Sequence, residues 1–226
     1  MKKKLVVLTG AGISAESGLK TFRDADGLWE NHAIEEVATP EAFQSNPELV
    51  LRFYNERRKQ LMECVPNDGH LAIAELEKVH NVNVITQNVD DLHERAGSTN
   101  VIHLHGELMK VRSTVHPELI YTLQDWELKW GDHCEKGFQL RPHIVWFGEQ
   151  VPMMDKAIEI AQEADVFIVI GTSLQVYPAA GLVHYANKAT QKFLIDPKSE
   201  LPYGANDFTL VRSTATDGVR KVLEGI

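Results

Sequence analysis

Cysteine is scarce in this chain of 226 residues, with only Cys64 and Cys134. Two are too few for a disulfide framework, so a reducing, cytoplasmic setting is the expectation. Long apolar runs are missing as well, and nothing approaches the ~18 consecutive residues of a membrane span. The opening Met1-Lys2-Lys3-Lys4 imitates the start of a secretory signal, but the apolar run behind it meets Thr9-Gly10 too soon to serve as an h-region. Basic residues are outnumbered, 23 against 32 acidic, for a formal charge of −9. That balance disfavours nonspecific binding to nucleic acid or anionic membrane and is compatible with lysine-bearing partners. There is no internal repeat and no low-complexity tract. What remains is a 43% hydrophobic, 24% charged composition, enough for one sizeable core with a smaller module attached.

Short aliphatic runs recur at Leu5 to Leu8, Val82 to Thr86, Ile144 to Phe147, Val166 to Ile170, Phe193 to Ile195 and Phe208 to Val211. Helical patterns lie between several of them: Gly69 to Val79 behind a possible Asp68 cap, Met153 to Ala164 after Pro152, and Ala179 to Lys188 after Pro178. Strands alternating with helices predict an α/β fold built on a mostly parallel sheet. Two stretches break the alternation, one helical and charged from about 31 to 66, the other from about 107 to 141. They are expected to meet as a second, smaller module formed by two insertions, beside a main domain of residues 1–30, 67–106 and 142–226. The ligand cleft is expected between the two.

Gly10-Ala11-Gly12-Ile13-Ser14-Ala15, directly after the first apolar run, fits Gly-x-Gly-x-x-Ala. Gly10 suits a tight turn, Gly12 a close approach to a pyrophosphate, and Ala15 close helix-on-strand packing, with the helix start facing the phosphates. A Gly-rich turn with no ligand is the plain alternative. A hydride-transferring dehydrogenase needs a second strand ending in an acidic residue about 20 positions later, and no such strand appears there. A polar loop with Phe22, Arg23, Asp24, Asp26 and Gly27 stands there instead, so the nucleotide is not expected to act as a simple hydride carrier.

Gln87, Asn88 and Asp90 follow a buried strand at the end where polar ligand contacts collect. Capping of the next helix is the alternative for Asp90 or Asp91. In Val101-Ile102-His103-Leu104-His105-Gly106 the two histidines alternate and are expected to share a side of one strand. His105, followed by a glycine that leaves room for substrate, is the candidate base, with a reference pKa near ~6.5. A hydrogen-bonded packing histidine is its alternative. Gly171-Thr172-Ser173 forms a second small-residue turn, suited to phosphate or ribose, or to helix capping.

Taken together, these blocks resemble the sirtuins. The match runs in order through Gly10-Ala11-Gly12-Ile13-Ser14 with Ser17-Gly18 and Phe22-Arg23, Thr86-Gln87-Asn88-Val89-Asp90, Leu104-His105-Gly106, Phe147-Gly148-Glu149, and Gly171-Thr172-Ser173-Leu174 with Val176 and Pro178. The resemblance implies a Rossmann-like fold and an NAD-dependent protein-lysine deacylase that consumes NAD as co-substrate. In that chemistry the acyl oxygen attacks the nicotinamide ribose, nicotinamide leaves, and a ribose hydroxyl activated by His105 captures the acyl carbon. The products are free lysine, nicotinamide and O-acyl-ADP-ribose. By resemblance, Asn88 joins His105 in catalysis, and Gln87, Asn88 and Asp90 position ribose and nicotinamide. Ala11, Phe22 and Arg23 line the pocket, and Gly10, Gly12, Ile13, Ala15, Trp29, Val89, Gly171, Thr172 and Ser173 complete the NAD contacts. Asp196 stands where the family often has Asn facing the adenosine ribose, and Ala215 is an adenine contact. A protein ADP-ribosyltransferase and a noncatalytic NAD-binding regulator are the rival readings.

Tyr54 and Arg57 lie three apart in the helical stretch Asn46 to Val65, so their side chains share a face. A guanidinium beside a phenol suits an acidic acyl tail such as succinyl or malonyl. A solvated helix face is the alternative, and the spacing resembles the bacterial desuccinylase-type branch. Many sirtuins carry four zinc-binding cysteines between the catalytic histidine and Phe-Gly-Glu, but here that interval holds only Cys134. Structural zinc is therefore not expected, even though His116, Asp132 and His133 lie nearby. An aromatic mini-core of Tyr121, Trp126, Trp130, Phe138 and Trp146 is expected in its place, with Trp126 and Trp130 one helical turn apart.

Overall fold

The computed structural model describes residues 2–19, 28–29, 32–198, 200–201, 204–223 and 225, with 28–29 described as backbone. In chain order the first elements are β1 (Lys4–Thr9), α1 (Ala11–Ala15), β2 (Leu28–Trp29), β3 (His32–Ala33), α2 (Ile34–Val37), α3 (Pro40–Ser45), α4 (Pro47–Glu63), α5 (Asp68–Leu76) and β4 (Asn81–Thr86). Next come α6 (Leu92–Ala96), β5 (Val101–His103), β6 (Gly106–Ser113), β7 (Ile120–Thr122), β8 (Leu140–Ile144) and α7 (Met154–Gln162). The chain then runs through β9 (Val166–Ile170), a 3₁₀ segment at Ala179–His184, β10 (Gln191–Ile195), β11 (Thr209–Val211) and α8 (Ala215–Leu223).

Six strands form one parallel sheet in the order β11-β10-β9-β1-β4-β5. β9 is buried at every position and β1 at every position after Lys4, as strands covered on both faces must be. Alternate residues serve the two faces. Val6, Leu8, Phe167 and Val169 pack with Ala157 and Ala161 of α7, while Leu5, Val7 and Ile168 pack with Ile73 of α5 and Val219 of α8. The strand order reverses at β1, which leads to β4 on one side while β9 returns on the other. A crevice therefore opens beyond the C-terminal ends of β1, β4 and β9, where open α/β sheets bind ligands.

A second core joins the helical and antiparallel segments. Val37, Phe43, Val50, Phe53, Tyr54 and Leu61 from α2 to α4 pack against Leu108, Val111, Ile144 and Trp146, beside the three-stranded sheet β7-β6-β8. α4 is started by Asn46, whose Oδ1 accepts from Leu49 N–H at 3.1 Å, with Pro47 where a missing N–H costs nothing. Arg58, fully buried on α4, donates from Nε to the Leu108 carbonyl at 2.7 Å and through NH1 to Asn55 Oδ1 at 2.7 Å and the Trp126 carbonyl at 3.3 Å. Burial pulls its pKa down to about 10. No helix among the described residues is long and apolar enough to cross a membrane.

Several expectations need correction. The strand placed at Ile144 to Phe147 is β8, which ends at Ile144 and belongs to the small antiparallel sheet. Its edge position tolerates Pro142, and Trp146 turns into the second core instead of continuing a strand. Asn67, not Asp68, caps α5, its Oδ1 accepting from Gly69 N–H at 2.9 Å. The helix expected at Ala179 to Lys188 is a 3₁₀ segment. The aromatic mini-core is differently composed: Phe43, Phe53, Tyr54 and Trp146 form it, with Tyr121 packed at its margin. No helix joins Trp126 to Trp130. Trp130 and Phe138 are exposed, and Trp126 carries the Lys59 ammonium 3.6 Å from its ring centroid.

Candidate active site

The β1–α1 turn is locked to the turn after β9. Gly10 N–H donates to the Ile170 carbonyl at 3.0 Å, and Gly12 N–H to the Gly171 carbonyl at 2.8 Å. A Cβ on Gly12 would lie 2.6 Å from Gly171 Cα, and one on Gly171, whose φ is +63°, would lie 2.5 Å from Ile13 N. The glycines are thus required by the packing of two turns, a cause that the pyrophosphate reading of Gly12 did not contain. Ala15 also departs from expectation: it is exposed, and Ile13 makes the close contact with the sheet. Ala11 is half-buried at the helix start.

Beyond β4 the chain lays a polar ladder against that turn. Asn88 Nδ2 donates to the Gly10 carbonyl and to Ser14 Oγ, both at 3.1 Å, and Ser14 Oγ donates to Asp90 Oδ2 at 2.9 Å. Asp90 Oδ1 accepts from Leu92 N–H at 3.2 Å, a turn bond just ahead of α6, while Asp91, the N-cap of that helix, makes no side-chain capping bond. Burial pushes the Asp90 carboxyl upward, against the Ser14 bond. Gln87 Nε2 donates to Thr172 Oγ1 at 3.3 Å, and Thr172 Oγ1 also accepts from Leu174 N–H at 3.1 Å, which makes it a turn cap rather than a helix cap. Ser173 beside it is half-buried. Val89 faces the second core, and its carbonyl accepts from Leu108 N–H at 2.7 Å.

β5 ends at His103, so His105 stands in the connection to β6 rather than in the same strand. The two rings nonetheless meet the same loop, on successive carbonyls. His105 Nδ1 lies 3.0 Å from the Gln87 carbonyl and His103 Nδ1 lies 3.1 Å from that of Asn88. A carbonyl only accepts, so His105 carries its proton on Nδ1 and presents the lone pair on Nε2. Burial lowers its pKa, partly offset by the Gln87 bond. Gly106 does not make room for substrate. A Cβ there would fall 2.0 Å from the His143 carbonyl, at φ +83°, so the glycine serves the β6–β8 irregularity.

The other candidates are scattered. Asp196 sits at the end of β10, with Oδ1 accepting from Lys198 N–H at 2.9 Å. Ala215, the first residue of α8, is buried in the core that α5 and α8 share with the sheet. Tyr54 is wholly buried, and its hydroxyl accepts from Trp146 Nε1 at 2.9 Å. Burial raises its pKa far above the usual phenol. The Arg57 guanidinium lies 4.5 Å from the Phe53 ring centroid. Phe22 and Arg23 lie outside the described residues, as does the side chain of Trp29. Ser14, which joins Asn88 to Asp90, received no role from the sequence. Its place in the Gly-rich block was the available signal.

An amide, a carboxylate, an imidazole and two glycine turns thus converge at the sheet's reversal point, a donor set that fits a phosphate- and ribose-bearing ligand. The pattern of the Sir2 family matches residues 10–178. The chain belongs to the Sir2 family. Among its relatives is an NAD-dependent protein deacylase of Bacteroides thetaiotaomicron, 54% identical over 225 residues that cover 97% of this chain and 96% of the relative. A protein of the same name from Helicobacter pylori is 53% identical, with 98% and 96% covered. A Sir2 homologue solved with NAD superposes at a TM-score of 0.87 with 43% identity, over 99% of this chain and 90% of that one. A Sir2 protein solved with NAD and a p53 peptide reaches 0.81 at 32% identity, over 98% and 92%.

This Sir2 chain has half the cysteines that a four-cysteine zinc site requires. Among the described residues no group of three or more His, Cys, Asp or Glu side chains is placed to hold a metal. Cys134 is buried, its Sγ donating to Ser113 Oγ at 3.4 Å. Charge fills part of this region. Arg141 grips Glu149 at 2.7 and 3.0 Å and stacks 3.3 Å from the Trp146 ring centroid, while Arg112 reaches the same carboxylate at 3.3 Å.

Proposed function

We propose that this Sir2 chain is an NAD-dependent protein-lysine deacylase that removes acetyl and also succinyl or malonyl groups, working on acyl-lysine peptides in the cytoplasm. The observation that carries the reading is His105, an imidazole held neutral by burial and turned by the Gln87 carbonyl so that Nε2 is the proton acceptor beside the reversal point. Bound NAD supplies the nicotinamide that departs and the ribose that receives the acyl group. In this reading Gln87, Asn88 and Asp90 orient the ribose, the turns at Gly10 to Gly12 and Gly171 to Ser173 take the phosphates, and Asp196 meets the distal ribose. Ile13 and Ala215, buried in the core, contribute backbone and packing. We assign residues 31–66 and 107–141 to a small module and the remainder to the NAD-binding domain, a division supported by the second core.

The acidic-acyl preference rests on Arg57 of α4, with Tyr54, the other half of the expected clamp, buried away from any substrate. Tyr54 is anchored through its hydroxyl to Trp146, so Arg57 is the residue assigned to a substrate carboxylate. The test is NAD-dependent release of acetyl and succinyl from one peptide. O-acyl-ADP-ribose in solution is the expected product; ADP-ribose retained on protein would replace the reading with a transferase, and NAD binding without turnover with a regulator. Arg57→Met is expected to cut succinyl release about tenfold or more while sparing acetyl. Equal loss on both peptides would remove the clamp.

A further inference from the structure

His103 stands two residues before the proposed base and is 8% exposed. Its Nδ1 is 3.1 Å from the Asn88 carbonyl and its Nε2 is 2.7 Å from Glu94 Oε1 on α6. A carbonyl and an ionised carboxylate both accept and neither donates, so only a ring with protons on both nitrogens satisfies the two contacts at once. A neutral ring would leave one of them lone pair against lone pair. The neighbouring charges agree with this. Glu94 and Glu107 face the ring from α6 and β6, Lys110 is drawn off by Glu107 at 2.7 Å, and Asp90 adds a further acidic group from the loop. His93, whose charge would oppose that of His103, is held neutral by burial.

The carbonyl gripped by His103 belongs to the residue after the one gripped by His105. The segment Gln87 to Asp90 is therefore tied from below at two consecutive peptides, one by a neutral ring and one by a charged ring. We propose that His103 is a positioning residue for NAD: an imidazolium, clamped by Glu94, that fixes the Asn88 peptide and with it the side chains of Gln87, Asn88 and Asp90. This rests on the NAD site proposed above. Loss of the second proton forces the ring to release either Glu94 or Asn88, so NAD binding weakens on the alkaline side for a reason separate from His105. Burial works against the charged ring, but the Glu94 contact outweighs it and raises the pKa above the usual imidazole value.

The test uses the full chain labelled with ¹⁵N-histidine, with NAD affinity measured by calorimetry from about pH 6 to about pH 9, across the imidazole range. Two ring N–H groups on His103 are expected at neutral pH, with affinity declining as the ring titrates above the ordinary imidazole value. Glu94→Gln should move that titration downward and weaken NAD about tenfold on the alkaline side. His103→Gln should weaken NAD by a similar factor and abolish the alkaline decline. Glu94 is 40% exposed, so its variant decides the matter if His103→Gln does not fold. A ring with one proton at neutral pH, or a Glu94→Gln protein with the wild-type affinity profile, overturns the proposal. Intact, pH-dependent NAD binding without acyl transfer would sink the deacylase reading and leave the His103 clamp standing.

Discussion

His105 keeps its Nε2 lone pair because Nδ1 is committed to the Gln87 carbonyl. Its lowered pKa sets where that lone pair is lost. The acid limb of kcat/KM is therefore expected below the ordinary imidazole value of ~6.5, and a pH profile with the limb above it would contradict the burial argument. His105→Ala should lower acyl-peptide-dependent nicotinamide release by about 10²- to 10⁴-fold, the usual range for a positioned base. His105→Ala with undiminished release would end the case for this residue. At the same scale, Gly12→Ala puts a methyl 2.6 Å from the Gly171 backbone. Neither turn can yield without breaking the Gly12 to Gly171 hydrogen bond, so a destabilisation of about 1–3 kcal/mol in urea unfolding is expected, as for overpacking.

At the scale of elements, sequence and structure part company where tertiary contact overrides local pattern. The runs at Leu5 to Leu8 and Val166 to Ile170 were legible because a strand buried on both faces has no polar interruptions, and Val82 to Thr86 was legible despite half-buried Asn83 because Val82, Val84 and Ile85 are buried around it. β8 was not, since the aliphatic and aromatic residues 144–147 imitate a buried strand while Trp146 in fact anchors Tyr54 of α4. The site was legible as a set of residues at strand ends but not as a set of bonds. Nothing in the spacing of Asn88 and Ser14 shows that they meet, and the true reason for Gly106 is a carbonyl on β8, 37 positions away. Asn67 likewise reads as loop, yet its Nδ2 donates to the Ile13 carbonyl at 2.7 Å and to Ser17 Oγ at 3.0 Å while Oδ1 caps α5. Asn67→Ala should cost about 1–2 kcal/mol and weaken NAD binding through α1, whereas an ordinary surface cap would change stability alone.

For the whole molecule, the question is what holds the small module without a four-cysteine metal staple. Arg112 and Arg141 stand directly opposite each other in the β6–β8 ladder, an arrangement of like charges that repels. Glu149 resolves it by bonding both guanidiniums, and its second oxygen also accepts from Trp146 N–H at 2.8 Å. Burial would raise the Glu149 carboxyl, but the Arg141 bonds and the Trp146 N–H hold it below the usual range. A carboxylate with a depressed pKa adds stability that is complete above its unfolded value near ~4.3 and is lost as pH falls through the folded one. Glu149→Gln leaves two arginines facing across the ladder, and a loss of about 2 kcal/mol in urea unfolding is expected, between that of exposed and fully buried pairs. Adding Arg112→Gln to Glu149→Gln should recover part of the loss, because it removes the repulsion that the carboxylate offsets; additive losses would show that the two act independently. Chelator should leave the unfolding midpoint unchanged in the wild type, and stoichiometric zinc in protein purified without chelator would show instead that a metal shares the load.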